Sequence, residues 1–173
     1  HHPIEYQNHI FDQLMEAGKE FGLKPYGIRA MNSLRVEKSY KLVGTELSIE
    51  YSPYESGLDR FVHPNKGDFI GRAALDKWRA KGFSNKLVTM EIHGITDADV
   101  LGNNPIYDNG SVVGRATSGD FGFRLNKSIA LGMVKPEFAK VGQKLKIDIL
   151  GKMHEASIVE ESPYDSENKL LRA

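Results

Sequence analysis

Apolar and polar positions along the 173-residue chain follow two different periods. Between Pro3 and Gly18, the residues Ile10, Phe11, Leu14 and Ala17 recur at helical spacing. Pro3 suits a first turn and Gly18 an exit, so a helix is predicted there. Pro25 and Gly27 mark a loop. Leu34 and Val36 then alternate with Arg35 and Glu37, which predicts a strand or an extended piece. The polar stretch YSPYESGLDRFVH reads as a loop running into the short apolar pair Phe61–Val62. After Asp68, the residues Ile70, Ala74, Leu75 and Trp78 form one helical face, and Gly82 supplies the stop. A second helix is predicted there, with Trp78 packed into the core.

Beyond Gly82 the period drops to two. Val88, Met90 and Ile92 alternate with Thr89, Glu91 and His93, as in a half-buried strand. Asn109-Gly110 separates Ile106–Tyr107 from Val112–Val113, and a pair that tolerates positive φ between two such runs predicts a hairpin. Residues 129–134 are apolar throughout. Leu145, Ile147 and Ile149 alternate with lysines and Asp148, and Gly151-Lys152 turns into Ala156 and Ile158 before Pro163. About six strands without a long helix favour a small barrel or sandwich. The expected class is α+β, with a boundary near residues 82–86.

Composition narrows the function classes. Lysine plus arginine equals aspartate plus glutamate at 23 each, so no overall basic field argues for nucleic acid. The half after Gly82 is also poor in aromatics, which argues against a strand-binding barrel. The absence of cysteine excludes a disulfide framework, a thiolate metal site and a cysteine nucleophile. No apolar run reaches membrane-spanning length, and no secretory signal opens the chain. The six histidines show no metal-ligand spacing apart from His1-His2, which read either as native residues or as the end of a purification tag. Nothing marks His1 as a natural start, so the chain reads as a fragment.

Three groups of residues invite a chemical reading. Glu46, Glu50 and Glu55 cluster around YSPYESG, where a carboxylate pair serves either acid–base work or turn capping. Ser118 in Thr-Ser-Gly lacks a nucleophile elbow and a phosphate-loop ending, so GRATSG reads as turn chemistry. Tyr6, Tyr26, Tyr40, Tyr51, Tyr54 and Phe61 crowd the first half and suit either stacking on a planar ligand or packing. None of these makes a catalytic set.

Four strings in register change the picture: GLKPYGIRAMNSLRVEKSYKLVGTEL, SPYESGLDRFV, KGDFIGRAAL and VVGRATSGDFGFRLNKSIALGMV. In this order the chain resembles the carboxy-terminal half of the aminomethyltransferase family, which includes the glycine-cleavage T-protein and the folate-binding tails of dimethylglycine and sarcosine dehydrogenases. AMNSLRVEK and the ending PYDSENKLLR look more like the dehydrogenase tails. The resemblance implies residues 1–83 as the second part of a middle α+β folate-binding domain and 84–173 as a terminal six-stranded antiparallel Greek-key β-barrel. It implies transfer of a one-carbon unit from an N-methyl or aminomethyl group to tetrahydrofolate, giving 5,10-methylenetetrahydrofolate. The implied partners are the missing N-terminal part of the polypeptide and a methylated amine or aminomethyl donor, with no nucleic acid and no membrane. The dehydrogenase branch implies FAD on that missing part. The implied location is the bacterial cytoplasm or the mitochondrial matrix, not secretion.

The family's catalytic aspartate precedes this chain, so the resemblance implies no catalytic residue here and no metal. Two departures stand out. The family's arginine in A-R-D-S-L-R falls on Met31, and its tryptophan in E-A-G-L-x-W falls on Arg60. A guanidinium still stacks on an aromatic ring. The expected folate-binding residues are therefore Arg60, Tyr40 and Tyr54, together with Met31, Arg35 and Glu37 at matching motif positions. Arg35 and Glu37, read as strand neighbours on one face, either brace the channel wall or touch the ligand. Arg115 and Arg124 are expected contacts for an anionic folate tail. The competing reading is a structural or regulatory module of the same fold without transfer activity.

Overall fold

The computed structural model describes residues 1–95 and 97–173. Three α-helices precede six strands: α1 (Gln7–Ala17), α2 (Ile28–Glu37), α3 (Arg72–Lys81), β1 (Lys86–Ile92), β2 (Pro105–Asp108), β3 (Ser111–Gly122), β4 (Lys127–Val134), β5 (Lys144–Ile149) and β6 (Lys152–Val159). The class is α+β. The chain compacts into two units, His1–Met31 and Asn32–Ala173. In the first, α1 ends at Gly18, whose N–H donates to the Leu14 carbonyl, and α1 buries none of its residues. Ile4, Phe11, Leu14 and Phe21 are exposed.

The second unit is built on a closed barrel with strand order β1-β4-β3-β2-β5-β6, every pair antiparallel. β2, β3 and β4 follow one another as neighbours, and β1 returns to lie beside β4, which is the Greek key. Asn109 and Gly110 take φ of 46° and 81° at the β2–β3 turn, the conformation that the Asn-Gly pair predicts. Met90, Ile106, Ala130, Ile147 and Ile158 are among the residues that fill the interior. Ile129, Leu131 and Met133 alternate with them along β4 and are buried too. A strand covered on both sides reads as one apolar run, as residues 129–134 do.

Residues 34–37 are helical, not extended. The buried residues of α2 are Ser33, Val36 and Glu37, an i, i+3, i+4 face, while Leu34 is exposed. The apolar alternation spans only two positions, and the helix-favouring run around Ala30, Met31, Leu34 and Arg35 outweighs it. Arg35 and Glu37 therefore point to different sides instead of sharing one. The second predicted helix forms, but α3 buries none of its residues: Ile70 is exposed and Trp78 stays 36% exposed, so Trp78 is not in the core. Thr-Ser-Gly is not a turn either. Residues 117–119 continue β3 through a bulge between Ala116 and Ser118. Their small size has a packing reason: a Cβ on Gly119 would lie 2.5 Å from both Cβ and O of Val100.

Candidate functional site

Buried glutamates hold the segment between α2 and β1 against the barrel. Glu37 Oε1 accepts the backbone N–H groups of Arg124 (2.7 Å) and Leu125 (3.3 Å) beyond β3. Glu55 Oε1 accepts those of Ser84 and Asn85, and its Oε2 accepts the N–H and hydroxyl of Ser52. Glu46 is wholly buried. Its Oε1 accepts the Ser118 hydroxyl at 2.5 Å, and its Oε2 accepts Leu42 N–H at 2.8 Å and the Thr45 hydroxyl at 2.7 Å. Burial works against the charge on Glu46 and Glu55. The hydrogen bonds outweigh it, those from Ser118 on Glu46 and from Ser52 on Glu55 foremost, so both carboxyls sit below the ordinary carboxylate range. Such groups are anionic braces, not proton donors held near neutrality. Glu50 stands apart, exposed and paired with Arg115 at 2.7 Å.

The braces shape a cleft of about 730 Å³ between the turn after α2, the segment 57–60 and the chain after β6. Lys38, Tyr40 and Lys41 come from the first wall, Asp59 and Arg60 from the second, Ser162 and Asn168 from the third. The turn after α2 is held by Ser39, in the left-handed region at φ 53°, whose hydroxyl meets the Thr89 hydroxyl at 2.7 Å and accepts Ser162 N–H at 3.0 Å. Ser162 Oγ donates to the Lys38 carbonyl, and Lys38 Nζ donates to the Asp165 carbonyl (2.6 Å) and to Asn168 Oδ1 (2.7 Å). Lys41 pairs with Glu161. Burial opposes the charge on Asp165, but backbone N–H groups from residues 169–171 and the nearby Lys38 keep its carboxyl below the usual range. Lys38 and Lys41 are thus spent on the wall. Arg60 has its guanidinium 4.8 Å from the Phe61 ring centroid, and no ion pair or side-chain hydrogen bond engages it among the described residues.

The structure brings Arg60 and Tyr40 into this one cleft and places the other expected residues elsewhere. Tyr54 is buried against Phe83, ring centroids 5.5 Å apart, under the Arg79 guanidinium. Arg35 donates to the Tyr40 carbonyl at 3.0 Å and lies 3.7 Å from Glu46, so it holds the turn that carries Tyr40. Glu37 is occupied with backbone N–H groups, as above. Met31 is partly exposed on α2 in the first unit. Arg115 is held by Tyr51, Glu50 and Asn103. Arg124 lies over the Tyr164 ring at 4.9 Å. Lys38, Ser162 and Asn168 are lining residues that sequence reasoning missed. The doubled lysine around Tyr40 in Lys-Ser-Tyr-Lys was the available signal for the first; the tail residues carry no local signal.

Among the described residues no group of three or more His, Cys, Asp or Glu could hold a metal ion, and no helix is long and apolar enough to cross a membrane. Comparisons with known proteins agree with the fold. The chain is 40% identical over 153 residues to human mitochondrial dimethylglycine dehydrogenase, covering 88% of this chain and 18% of that one. It is 39% identical over 158 residues to an aminomethyltransferase of Synechocystis, covering 91% of this chain and 42% of that one. It thus spans less than half the length of either relative. A crystal structure of the glycine cleavage system aminomethyltransferase T of Bartonella henselae superposes with a TM-score of 0.72 at 24% identity, over 79% of this chain and 38% of that one, which shows the fold. The family's GCVT N-terminal domain matches residues 1–66 and its glycine cleavage T-protein C-terminal barrel domain matches residues 85–165. The chain belongs to the glycine cleavage T-protein family and corresponds to the carboxy-terminal region of its longer relatives.

Proposed function

We propose that this chain is the carboxy-terminal part of a tetrahydrofolate-dependent aminomethyltransferase or demethylating dehydrogenase, and that the cleft around Tyr40 and Arg60 holds part of the folate. The observation that carries the reading is that these two residues share a cleft in which Arg60 is the cation not spent on the wall. A phenol ring and a guanidinium plane both stack on the aryl portion of a folate, and the guanidinium also meets a carboxylate. Arg35 and Glu37 position the turn that carries Tyr40, and Tyr54 anchors the loop that leads to Arg60. The bound folate accepts the one-carbon unit, from an N-methyl or aminomethyl donor, and becomes 5,10-methylenetetrahydrofolate. The proton-handling aspartate belongs to upstream sequence, so this chain binds, orients and excludes water. In this reading residues 1–83 complete a middle domain and 84–173 are the terminal barrel. A demethylating dehydrogenase also carries FAD upstream. The compartment is the cytoplasm in a bacterium and the mitochondrial matrix in a eukaryote.

A second reading, a module of this fold without transfer, is favoured by Met31, an apolar residue where the family pattern has arginine. Tetrahydrofolate titration of the full-length polypeptide separates the two. The transfer reading predicts saturable binding that Arg60→Ala weakens by about tenfold, the scale of one stacked cation. Equal affinity in the variant would sink the assignment of Arg60, and absence of binding in the parent favours the module.

A further inference from the structure

The tip of the β2–β3 hairpin joins an amide to an unengaged main-chain nitrogen. Asn109-Gly110 is the one place in the chain where an asparagine precedes a glycine. Both residues are exposed, and both take positive φ, 46° and 81°. Asp108 pairs with Ser111 across the turn, which leaves the Gly110 N–H outside the ladder. That N–H makes no hydrogen bond among the described residues. Glycine sets no Cβ beside the nitrogen, and the space where one would stand is open. The Asn109 carboxamide is held from one side, its Nδ2 donating to Asp108 Oδ2 at 3.0 Å. The other asparagines at positive φ differ. Asn103 Oδ1 accepts from Arg115, and Asn168 Oδ1 accepts from Lys38. Asn126 is exposed, but Lys127 follows it.

We propose that Asn109-Gly110 is a self-modification site, at which the chain converts its own asparagine into aspartate and isoaspartate with water as the co-reactant. The Gly110 nitrogen gives its proton to the solvent and bonds to Asn109 Cγ. The Cγ–Nδ2 bond breaks, and the amide nitrogen leaves as ammonia with a proton taken from water. A cyclic imide results. Water opens it at either carbonyl: at Cγ it restores the main chain and leaves aspartate, and at the main-chain carbon it leaves isoaspartate, whose backbone runs through Cβ and Cγ. No oxidation or reduction is involved. Asp108 brakes the first step, because its carboxylate holds the Asn109 amide and disfavours negative charge on the neighbouring nitrogen. The two products differ in consequence. Aspartate keeps the turn and adds a negative charge to a chain of net charge zero. Isoaspartate lengthens the main chain inside a two-residue turn whose geometry sets the register of both strands. β2 has four residues and meets β5 only at Ile106 and Tyr107, so a slip there loosens the barrel around the buried Ile106. The site is distinct from the Tyr40–Arg60 cleft and does not rest on the folate reading.

The test is peptide mapping of the folded full-length polypeptide through a timed incubation at neutral pH, with separation of the asparagine, aspartate and isoaspartate forms of segment 105–115. Both products are expected at Asn109, forming several-fold faster than any product at Asn126. Gly110→Ala, which sets a Cβ beside the attacking nitrogen, is expected to slow conversion several-fold. Asp108→Ser is expected to speed it. Circular dichroism should be unchanged in both variants, since the turn is exposed. The isoaspartate fraction, once separated, is expected to unfold at a lower temperature than Asn109→Asp. No product at Asn109, equal conversion at Asn126, or an unchanged rate in Gly110→Ala would each overturn the proposal. A slower Asp108→Ser variant would overturn the brake, and equal unfolding temperatures of the isoaspartate fraction and Asn109→Asp would overturn the effect on the barrel.

Discussion

Glu46→Ala lowers the stability of the second unit by about 3 kcal/mol, the scale expected when a buried acceptor of several hydrogen bonds is removed. The carboxylate is wholly buried and accepts from Ser118 on β3 and from Leu42 and Thr45 on the segment after α2. Alanine leaves those donors facing a void. Glu46→Gln costs less, about 1–2 kcal/mol, because it keeps the volume and one oxygen but turns an amide donor toward a donor. The pH dependence has a defined sign. The folded carboxyl titrates below the ordinary range of a glutamate, so its contribution is fully present above that range and is lost as pH falls through the folded value. Urea unfolding at pH 7 and at pH 4 checks both statements: Glu46→Gln should show a shallower loss of stability on acidification than the parent. An equal loss would show that this carboxylate is not the acid-sensitive brace.

Gly119→Val is the second large effect, also about 3 kcal/mol, at the upper end for overpacking. A Cβ there would meet Val100 at 2.5 Å on both its Cβ and its carbonyl oxygen. One of these atoms is backbone, so no rotamer change relieves the clash. The neighbouring Asn32 Nδ2 donates to the Gly119 carbonyl at 3.2 Å, so the displaced strand also loses a tie to α2. Gly110→Ala, by contrast, puts a Cβ in open space and carries only the strain of φ 81°, about 1 kcal/mol. Thermal unfolding of the two variants side by side should rank Gly119→Val well below Gly110→Ala. The reverse order would contradict the packing described for the β1–β2 connection.

The same two positions show what could be read from the chain. Gly110 was legible because a hairpin is a local event: two positive-φ residues between apolar runs leave little choice of conformation. The alternation through Val88, Met90 and Ile92, and through Leu145, Ile147 and Ile149, was legible for the same reason, since each strand faces one interior. Gly119 reads locally as a turn, because its constraint comes from Val100, which the local pattern does not display. Leu34–Glu37 misled because two alternations cannot distinguish a strand from a helix with one buried face. Trp78 misled because an apolar helical face predicts burial without naming what covers it.

The grouping around the cleft is legible only in part: the resemblance sets Arg60 with Tyr40, Tyr54, Met31, Arg35 and Glu37, and of these only Tyr40 and Arg60 line the cleft. Composition alone left those residues among a crowd of aromatics. The three glutamate braces were invisible as braces because their partners are remote. Glu37 reaches Arg124 and Leu125, and Glu55 reaches Ser84 and Asn85. Read locally, Glu46, Glu50 and Glu55 suit either acid–base work or turn capping. The hydrogen-bond acceptors of Glu46 and Glu55 are used on backbone and hydroxyl donors, and this makes these two scaffolding for the Tyr40–Arg60 cleft.

A crystal structure of the full-length polypeptide with bound tetrahydrofolate tests the central claim most directly. The account predicts that the aryl or glutamate portion of the folate lies in the cleft between residues 38–41 and 57–60, with the Arg60 guanidinium against it. Folate seated away from this cleft, with Tyr40 and Arg60 facing solvent, would contradict it.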